Sequence, residues 1–167
     1  MVRAALREPT TLAIGVDADA ASMRETSRRV ARAAKRGGLP NALFVVAAVE
    51  ALPDELHAIA DEVRVTFPWG SLLRGVVGAD ATVLAGIARV AKPGAQVRAM
   101  FSVTELDGLD ITDAVDRAAF ESYGLRVIEE RPATADEIAA TGSSWAKRLR
   151  AGVDRPVTLV RAVRLDR

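Results

Sequence analysis

Apolar and polar positions along this chain form blocks that predict strands and helices in alternation. Apolar runs predict strands over residues 11–17, 42–48, 96–103, 125–129 and 157–163, and an alternating segment predicts another over 62–67. Periodic segments predict helices over residues 22–36, 53–59, 79–91 and 113–123, and a further helix from residue 134. Apolar strands separated by helices indicate a parallel sheet with both faces covered.

The pattern therefore predicts an α/β fold with a doubly wound, mostly parallel sheet. A polar segment separates the last two strands, so we expect an antiparallel edge strand at the C-terminus. The chain has 167 residues, of which 50% are hydrophobic, and this suits a single domain spanning residues 1–167.

Local signals place the ends of two helices. Ser22 with Glu25, and Thr134 with Glu137, have the spacing of capping boxes, in which the first residue caps the helix and the second bonds back to it. The first helix is expected to run to about Arg36, where the segment Gly37–Pro40 ends it.

Composition excludes several classes of function. The chain has no cysteine, so disulfides, thiolate catalysis and cysteine-ligated zinc are excluded. One histidine, His57, cannot form a histidine-rich metal site, and we expect no metal. No apolar run approaches the roughly 20 residues of a membrane span, and no signal-peptide pattern opens the chain. We therefore expect a cytoplasmic protein with no membrane partner.

The net charge of +1 is too small to predict nucleic-acid binding, but basic residues cluster locally. Two clusters fit contacts to phosphate groups, although a solvated helix face also explains the first. The first comprises Arg28, Arg29, Arg32, Lys35 and Arg36, in which Arg28, Arg32 and Arg36 recur every four residues. The second comprises Lys147, Arg148, Arg150 and Arg155.

Two acidic residues follow predicted strands, at the edge where open α/β sheets bind ligands. Asp17 ends the first strand, and an acid there can accept hydrogen bonds from a ribose, or it can cap the next helix, as Asp19 can. Glu50 lies just beyond the 42–48 strand, where a solvated loop position is the alternative.

The two tryptophans lie in segments of small or turn-forming residues with cations nearby. Trp69 follows Phe67 and Pro68 and precedes Gly70, and Trp145 precedes Ala146 and a basic run. Such rings suit the stacking of a nucleobase. Large, partly buried side chains are the alternative, since tryptophan is usually mostly buried.

Together these segments resemble the aminoglycoside-resistance 16S rRNA (adenine(1408)-N(1))-methyltransferases. The matching stretches follow the family's order, and the Phe-Pro-Trp-Gly and Trp-Ala-Lys-Arg-Leu motifs are specific. The stretches are residues 14–17, 35–41, 44–53, 67–73 and 143–149. The resemblance implies a Rossmann-like class I methyltransferase that uses S-adenosyl-L-methionine and acts on 16S rRNA in the small ribosomal subunit.

The resemblance also implies roles for individual residues. Asp17 would hold the cofactor's ribose, Val49 and Glu50 would lie along its adenosine, and Ser71 would lie near cofactor and target. Trp69 and Trp145 would sandwich a flipped adenine that Ser143 helps to position. Arg148 would contact the RNA backbone near the flipped base, and Arg32, Lys35 and Arg36 would dock on folded rRNA. Together with their neighbours in the two basic clusters, the residues expected to bind rRNA are Arg28, Arg32, Lys35, Arg36, Lys147, Arg148 and Arg150.

The chain departs from the family's pattern in two places. The family's first strand and glycine-rich cofactor loop are missing, as though roughly forty residues were lost before Met1, and we expect a misplaced start codon. Residues 4–7 look like the middle of the family's first helix. The segment at 103–113 is also shorter than the family's.

Three alternatives follow from these observations. The first is a non-catalytic remnant that binds RNA. The second is a class I methyltransferase with another substrate. A nicotinamide oxidoreductase is a more distant alternative, because nothing in the sequence supplies a partner for hydride transfer.

Overall fold

The computed structural model describes residues 1–78, 80–104, 107, 109, 115–148, 152 and 155–166. The strands are β1 (Ala13–Asp17), β2 (Ala42–Val46), β3 (Ala60–Thr66), β4 (Ala91–Phe101), β5 (Leu125–Pro132) and β6 (Thr158–Arg164). The α-helices are α1 (Val2–Arg7), α2 (Ala20–Val30), α3 (Gly70–Val76), α4 (Ala81–Val90), α5 (Arg117–Ser122), α6 (Ala135–Thr141) and α7 (Ser144–Arg148). Single 3₁₀ turns cover Ala34–Arg36, Val49–Ala51 and Asp54–Leu56.

The chain divides into two compact units, Met1–Pro53 and Asp54–Arg167. In the first unit, β1 and β2 form a parallel pair whose register runs from Ala13 opposite Ala42 to Asp17 opposite Val46. The carboxyl ends of both strands therefore meet at one edge of this pair, which is where ligands bind in open α/β sheets.

The second unit has a four-stranded sheet in the order β3-β4-β6-β5. Strands β3 and β4 are parallel, and β6 is antiparallel to both of its neighbours. The fold is thus α/β. Strands β1 and β2 pair in parallel, as do β3 and β4, and the last strand is antiparallel to its neighbours, as the sequence predicts.

The position of the antiparallel strand differs from the expectation of an edge strand. Strand β6 lies inside the sheet and β5 forms the edge. The consecutive residues Leu159 and Val160 are 0% and 1% exposed, so both faces of β6 are covered. The interior position follows from pairing, because β6 bonds to β4 on one side and to β5 on the other.

The first capping box was also wrong, whereas the second is confirmed. Helix α2 starts earlier, with Asp19 as its N-cap accepting from the N–H of Ala21 at 2.8 Å, and the hydroxyl of Ser22 bonds to Asp17 instead. Helix α6 has both bonds of the box between Thr134 and Glu137.

The predicted helix at 53–59 is only a 3₁₀ turn at Asp54–Leu56. No single helix in the described parts of the chain is long and apolar enough to cross a membrane, although the bent pair α3 and α4 reaches that length and composition jointly.

Candidate functional site

Asp17 ends β1 with an exposed carboxylate. One of its oxygens accepts from the backbone N–H of Asp19 at 2.9 Å, and the other accepts from the hydroxyl of Ser22 at 3.0 Å. Asp17 therefore braces the turn into α2, while Asp19 is the cap. A carboxylate has about four acceptor positions, so Asp17 keeps acceptor capacity for a ligand hydroxyl.

Val49 and Glu50 lie in the 3₁₀ turn that follows β2. Glu50 is exposed and Val49 is partly buried. The backbone N–H of Ala47 bonds to the carbonyl of Asp17 at 3.1 Å, which keeps the chain leaving β2 beside the end of β1. The first unit thus presents two exposed carboxylates and one apolar side chain beyond the carboxyl ends of its strands.

The basic residues of the first unit do not share one helix. Helix α2 ends at Val30, so Arg28 lies on the helix, Arg32 lies beyond it, and Lys35 and Arg36 lie in a 3₁₀ turn. All four are exposed. The prediction that Arg28, Arg32 and Arg36 form one stripe on a helix is therefore wrong.

Gly38 explains why the chain turns there. A Cβ atom at Gly38 would lie 1.6 Å from the carbonyl oxygen of Arg32, so only glycine fits without a backbone shift. The N–H of Leu39 then bonds to the carbonyl of Val30 at 2.8 Å, which ties the returning chain to the end of α2.

Trp69 is 76% exposed, at the point where the chain leaves the carboxyl end of β3. Its own backbone is extended, with φ −141°, and it precedes helix α3. Core packing therefore does not explain this indole. A large aromatic side chain left in solvent is typical of a recognition surface.

Phe67, two residues before Trp69, has an unusual backbone conformation. It has φ +50°, in the left-handed region that side chains other than glycine rarely adopt. Its backbone N–H donates to the carbonyl of Met100 at 2.7 Å, and its side chain is only 5% exposed. Such a conformation costs about 1–3 kcal/mol and persists only where the surroundings impose it, often at active sites.

Trp145 belongs to the same unit and lies in helix α7, where it is partly buried. Its ring centroid lies 5.6 Å from that of Phe67, with the planes tilted by 33°. It also packs against a core cluster made of Phe67, Met100, Ile138, Ala146, Val157 and Leu159. One part of the indole is therefore supported by the core while the rest stays accessible.

Ser143 caps the helix that carries Trp145. Its Oγ accepts from the N–H of Ala146 at 3.2 Å, and its own N–H donates to Oγ1 of Thr141 at 3.1 Å. The hydroxyl proton of Ser143 is not used in that cap. Ser71 is exposed in the first turn of α3, two residues after Trp69.

The second basic cluster is described only in part. Lys147 is exposed on α7, and Arg148 is the last residue of that helix. The side chain of Arg148 and the whole of Arg150 lie outside the described residues.

Sequence reasoning did not single out Phe67 itself or Ser102. Ser102 is 6% exposed, it follows the carboxyl end of β4, and its Oγ has no hydrogen-bond partner among the described residues. A buried polar atom without a partner calls for an explanation such as a ligand or a water molecule. The one available signal was a small polar residue directly after an apolar strand. No residue pattern signals a left-handed phenylalanine.

A network of charges anchors α6, the helix that precedes Ser143 and Trp145. Glu137 accepts two hydrogen bonds from Arg131 on β5, both at 2.8 Å, and one from Arg98 on β4 at 3.3 Å. The hydrogen bonds from Arg131, together with the N–H of Thr134, lower the pKa of Glu137 from 4.5 to about 2. Hydrogen bonds from Arg131 and Arg161 likewise lower the pKa of Glu129.

No cluster of three or more histidine, aspartate or glutamate side chains suited to a metal occurs in the portion of the chain that the structure describes.

Comparison with known proteins gives the same family as the sequence motifs. The sequence model of the NpmA family, 16S rRNA (adenine(1408)-N(1))-methyltransferase, matches residues 1–164. A 16S rRNA (adenine(1408)-N(1))-methyltransferase of Streptoalloteichus tenebrarius is 33% identical, over 92% of this chain and 76% of that protein. One of Escherichia coli is 29% identical, over 90% of this chain and 75% of that protein.

Solved structures agree. A variant of the 16S rRNA (adenine(1408)-N(1))-methyltransferase from Catenulisporales acidiphilia, crystallised with its cosubstrate SAM, has a TM-score of 0.87 and 35% identity. The match covers 98% of this chain and 80% of that one. The antibiotic-resistance methyltransferase Kmr has a TM-score of 0.80 and 32% identity, covering 99% and 81%. This chain therefore belongs to the family of 16S rRNA (adenine(1408)-N(1))-methyltransferases.

Proposed function

We propose that this protein transfers a methyl group from S-adenosyl-L-methionine to N1 of an adenine in 16S rRNA of the small ribosomal subunit. The family, whose members are named for this reaction, gives the reaction type and the cofactor. The finer part of the proposal is that the adenine leaves its stack and lies between Trp69 and Trp145. Because ribosomal subunits are the substrate, the protein acts in the cytoplasm and makes its host resistant to aminoglycosides.

The exposure of Trp69 is the observation that carries this proposal. An indole that is 76% exposed, at the carboxyl end of a parallel strand, offers a free face for a base. Trp145 offers a second indole in the same unit, held by the core on one part and accessible on the rest. Removing a base from its stack costs a few kcal/mol, and aromatic stacking offsets that cost.

The reaction requires little acid–base catalysis by the protein. N1 of adenine already has an in-plane lone pair, so no general base is needed, and rate enhancement comes from positioning. The methylated base is cationic. Two indole faces stabilise a cation, and this stabilisation grows as charge develops in the transition state.

The first unit fits the adenosine half of the cofactor. The exposed carboxylates of Asp17 and Glu50 suit ribose hydroxyls and other donors, and Val49 suits an apolar ring face. Ser71 supplies an exposed hydroxyl in the second unit. When bound, S-adenosyl-L-methionine supplies the methyl group on a sulfonium.

Exposed cations would dock the protein on folded rRNA by contacts to phosphates. In the first unit these are Arg28, Arg32, Lys35 and Arg36, and around α7 they are Lys147, Arg148 and Arg150. Phosphate contacts position a protein on RNA without reading its sequence.

The proposal is tested by incubating small ribosomal subunits with the protein and radiolabelled S-adenosyl-L-methionine. Primer extension then locates the product, because a methyl group on N1 blocks base pairing and stops the polymerase. We expect one stop in the decoding region, together with incorporated label. Absence of transfer by folded protein that still binds the subunits would favour the non-catalytic alternative.

The tryptophan sandwich is tested by Trp69→Ala, with Trp69→Phe as the matched control that keeps an aromatic face. Loss of one stacking face, roughly 1–3 kcal/mol, predicts a fall in kcat/KM of roughly fivefold to a hundredfold for the alanine variant. The phenylalanine variant is expected to retain most activity. Full activity of Trp69→Ala would contradict the sandwich and favour a different substrate.

A further inference from the structure

Phe67 is adjacent to both tryptophans between which the proposed function places the adenine. Its ring lies 5.6 Å from that of Trp145. Its chain passes through Pro68 to Trp69, so the Cα atoms of Phe67 and Trp69 are at most about 7 Å apart. Phe67 is thus connected to one indole by packing and to the other by the backbone.

The backbone of Phe67 turns the chain between β3 and Trp69. Strand β3 ends at Thr66, and the left-handed φ of +50° at Phe67 turns the chain out of the sheet. Gly70 has φ +60°, so left-handed residues lie on both sides of Pro68 and Trp69. A residue before proline normally prefers an extended conformation. The surroundings must therefore hold Phe67 in its turn.

The core supplies that restraint. The ring of Phe67 is buried in the same cluster as Met100 and Leu159, and its N–H bonds to the carbonyl of Met100 at 2.7 Å. Glycine would adopt this φ without strain. The presence of phenylalanine indicates that the ring itself has a use, and its ring contact is with Trp145.

We propose that Phe67 is a positioning residue for methyl transfer, whose turn and buried side chain set both indoles. Its strained turn directs Trp69 out of the core, and its ring supports Trp145 from the core side. The proposal rests on the proposed function. It adds to that function a role for a side chain that is buried in the core.

The test compares Phe67→Leu with Phe120→Leu. Both positions are buried phenylalanines, 5% and 3% exposed, but Phe120 lies on α5 and outside the cluster that supports Trp145. Each change removes a ring from the core, so both variants should lose similar stability in urea. If Phe67→Leu does not fold, Phe67→Met fills more of the same space with an adaptable side chain. Phe67→Tyr, which keeps the ring, is the conservative rescue.

The first readout is fluorescence. In a Trp69→Phe background Trp145 is the one remaining tryptophan, so emission reports on that ring alone. We expect Phe67→Leu to shift the emission to longer wavelength and to increase quenching by acrylamide, because the indole loses its support. We expect Phe120→Leu to change neither. Unchanged emission in Phe67→Leu would overturn the proposal.

The second readout is steady-state methylation of small ribosomal subunits, with Trp69 intact. A misplacement of about 1 Å can cost about a hundredfold. We therefore expect Phe67→Leu to lower kcat between about tenfold and a hundredfold, and to leave the KM for subunits and the Kd for S-adenosylhomocysteine unchanged. Phe67→Tyr should restore kcat. Equal kcat values for Phe67→Leu and Phe120→Leu would overturn the proposal.

The two readouts separate this proposal from the function on which it rests. If the unaltered protein transfers no methyl group, the proposed function fails. The fluorescence comparison then still decides whether Phe67 positions Trp145.

Discussion

At the scale of single residues, two positions are held by close contacts that their residue types alone do not reveal. Gly38 lies against the carbonyl of Arg32, and Phe67 is held in a left-handed turn by the core. Both residues direct the chain at places where proposed functional side chains emerge. Gly38 follows the 3₁₀ turn that carries Lys35 and Arg36, and Phe67 precedes Trp69.

Gly38→Ala is expected to destabilise the protein by about 1–3 kcal/mol, because the added methyl group forces a shift of the Arg32 backbone. Urea unfolding measures this loss. Gly37→Asn is the matched control. Gly37 has φ +80° with open space around its Cβ position, and asparagine tolerates left-handed backbone. An alanine variant at Gly38 as stable as the unaltered protein would show that the turn adapts.

At the scale of elements, helix α6 is secured at its start by local bonds and along its side by charges. Its capping box joins Thr134 and Glu137, and the same glutamate pairs with Arg131 on β5 and Arg98 on β4. Because α6 leads directly into Ser143 and Trp145, this network fixes the base of the segment that carries the second indole.

The depressed pKa of Glu137 predicts how stability depends on pH. Its pKa is about 2 in the folded protein, below the ordinary 4.5, so the native state favours the charged form. That contribution is fully present above pH 4.5 and is lost as the pH falls toward 2. We expect the free energy of unfolding to decrease over this window, and to decrease less steeply in Glu137→Gln.

Asp136→Asn is the control for this effect. It removes a carboxylate from the same helical turn but leaves the pair between Glu137 and Arg131 in place. Chemical denaturation at several pH values gives the slopes. Identical slopes in Glu137→Gln and the unaltered protein would contradict the role of this pair in acid stability.

At the scale of the whole molecule, affinity for ribosomal subunits should depend on salt through the exposed cations. Removing one side chain that binds a phosphate should reduce the slope of log K against log salt by roughly 0.7–0.9. The double change Lys35→Gln and Arg36→Gln is therefore expected to flatten the slope and weaken binding. The measurement is a binding titration at several salt concentrations.

A control of equal charge is Arg7→Gln with Arg24→Gln, two exposed arginines of the same unit that lie outside the proposed RNA contacts. If this pair changed the slope as much as the pair at Lys35 and Arg36, binding would reflect net charge rather than a localised surface.

Features that depend on neighbours along the chain could be predicted from the residue pattern. The alternation of apolar and polar blocks predicted strands at all six positions that the structure describes and helices at α2, α4, α5 and α6, but not at α3 or α7. The capping box of α6 was predicted because its bonds join residues three positions apart. The motifs around Trp69 and Trp145 indicated the family, and the sequence match and the solved structures confirm it.

Features that depend on residues distant in sequence are established only by the tertiary structure. Strand β6 lies inside the sheet, because its two pairing partners are separate strands far from it in the chain. The left-handed turn of Phe67 and its contact with Trp145 require a core drawn from four other parts of the chain. Local propensity cannot encode these features, since burial and long-range packing compete with it and here outweigh it.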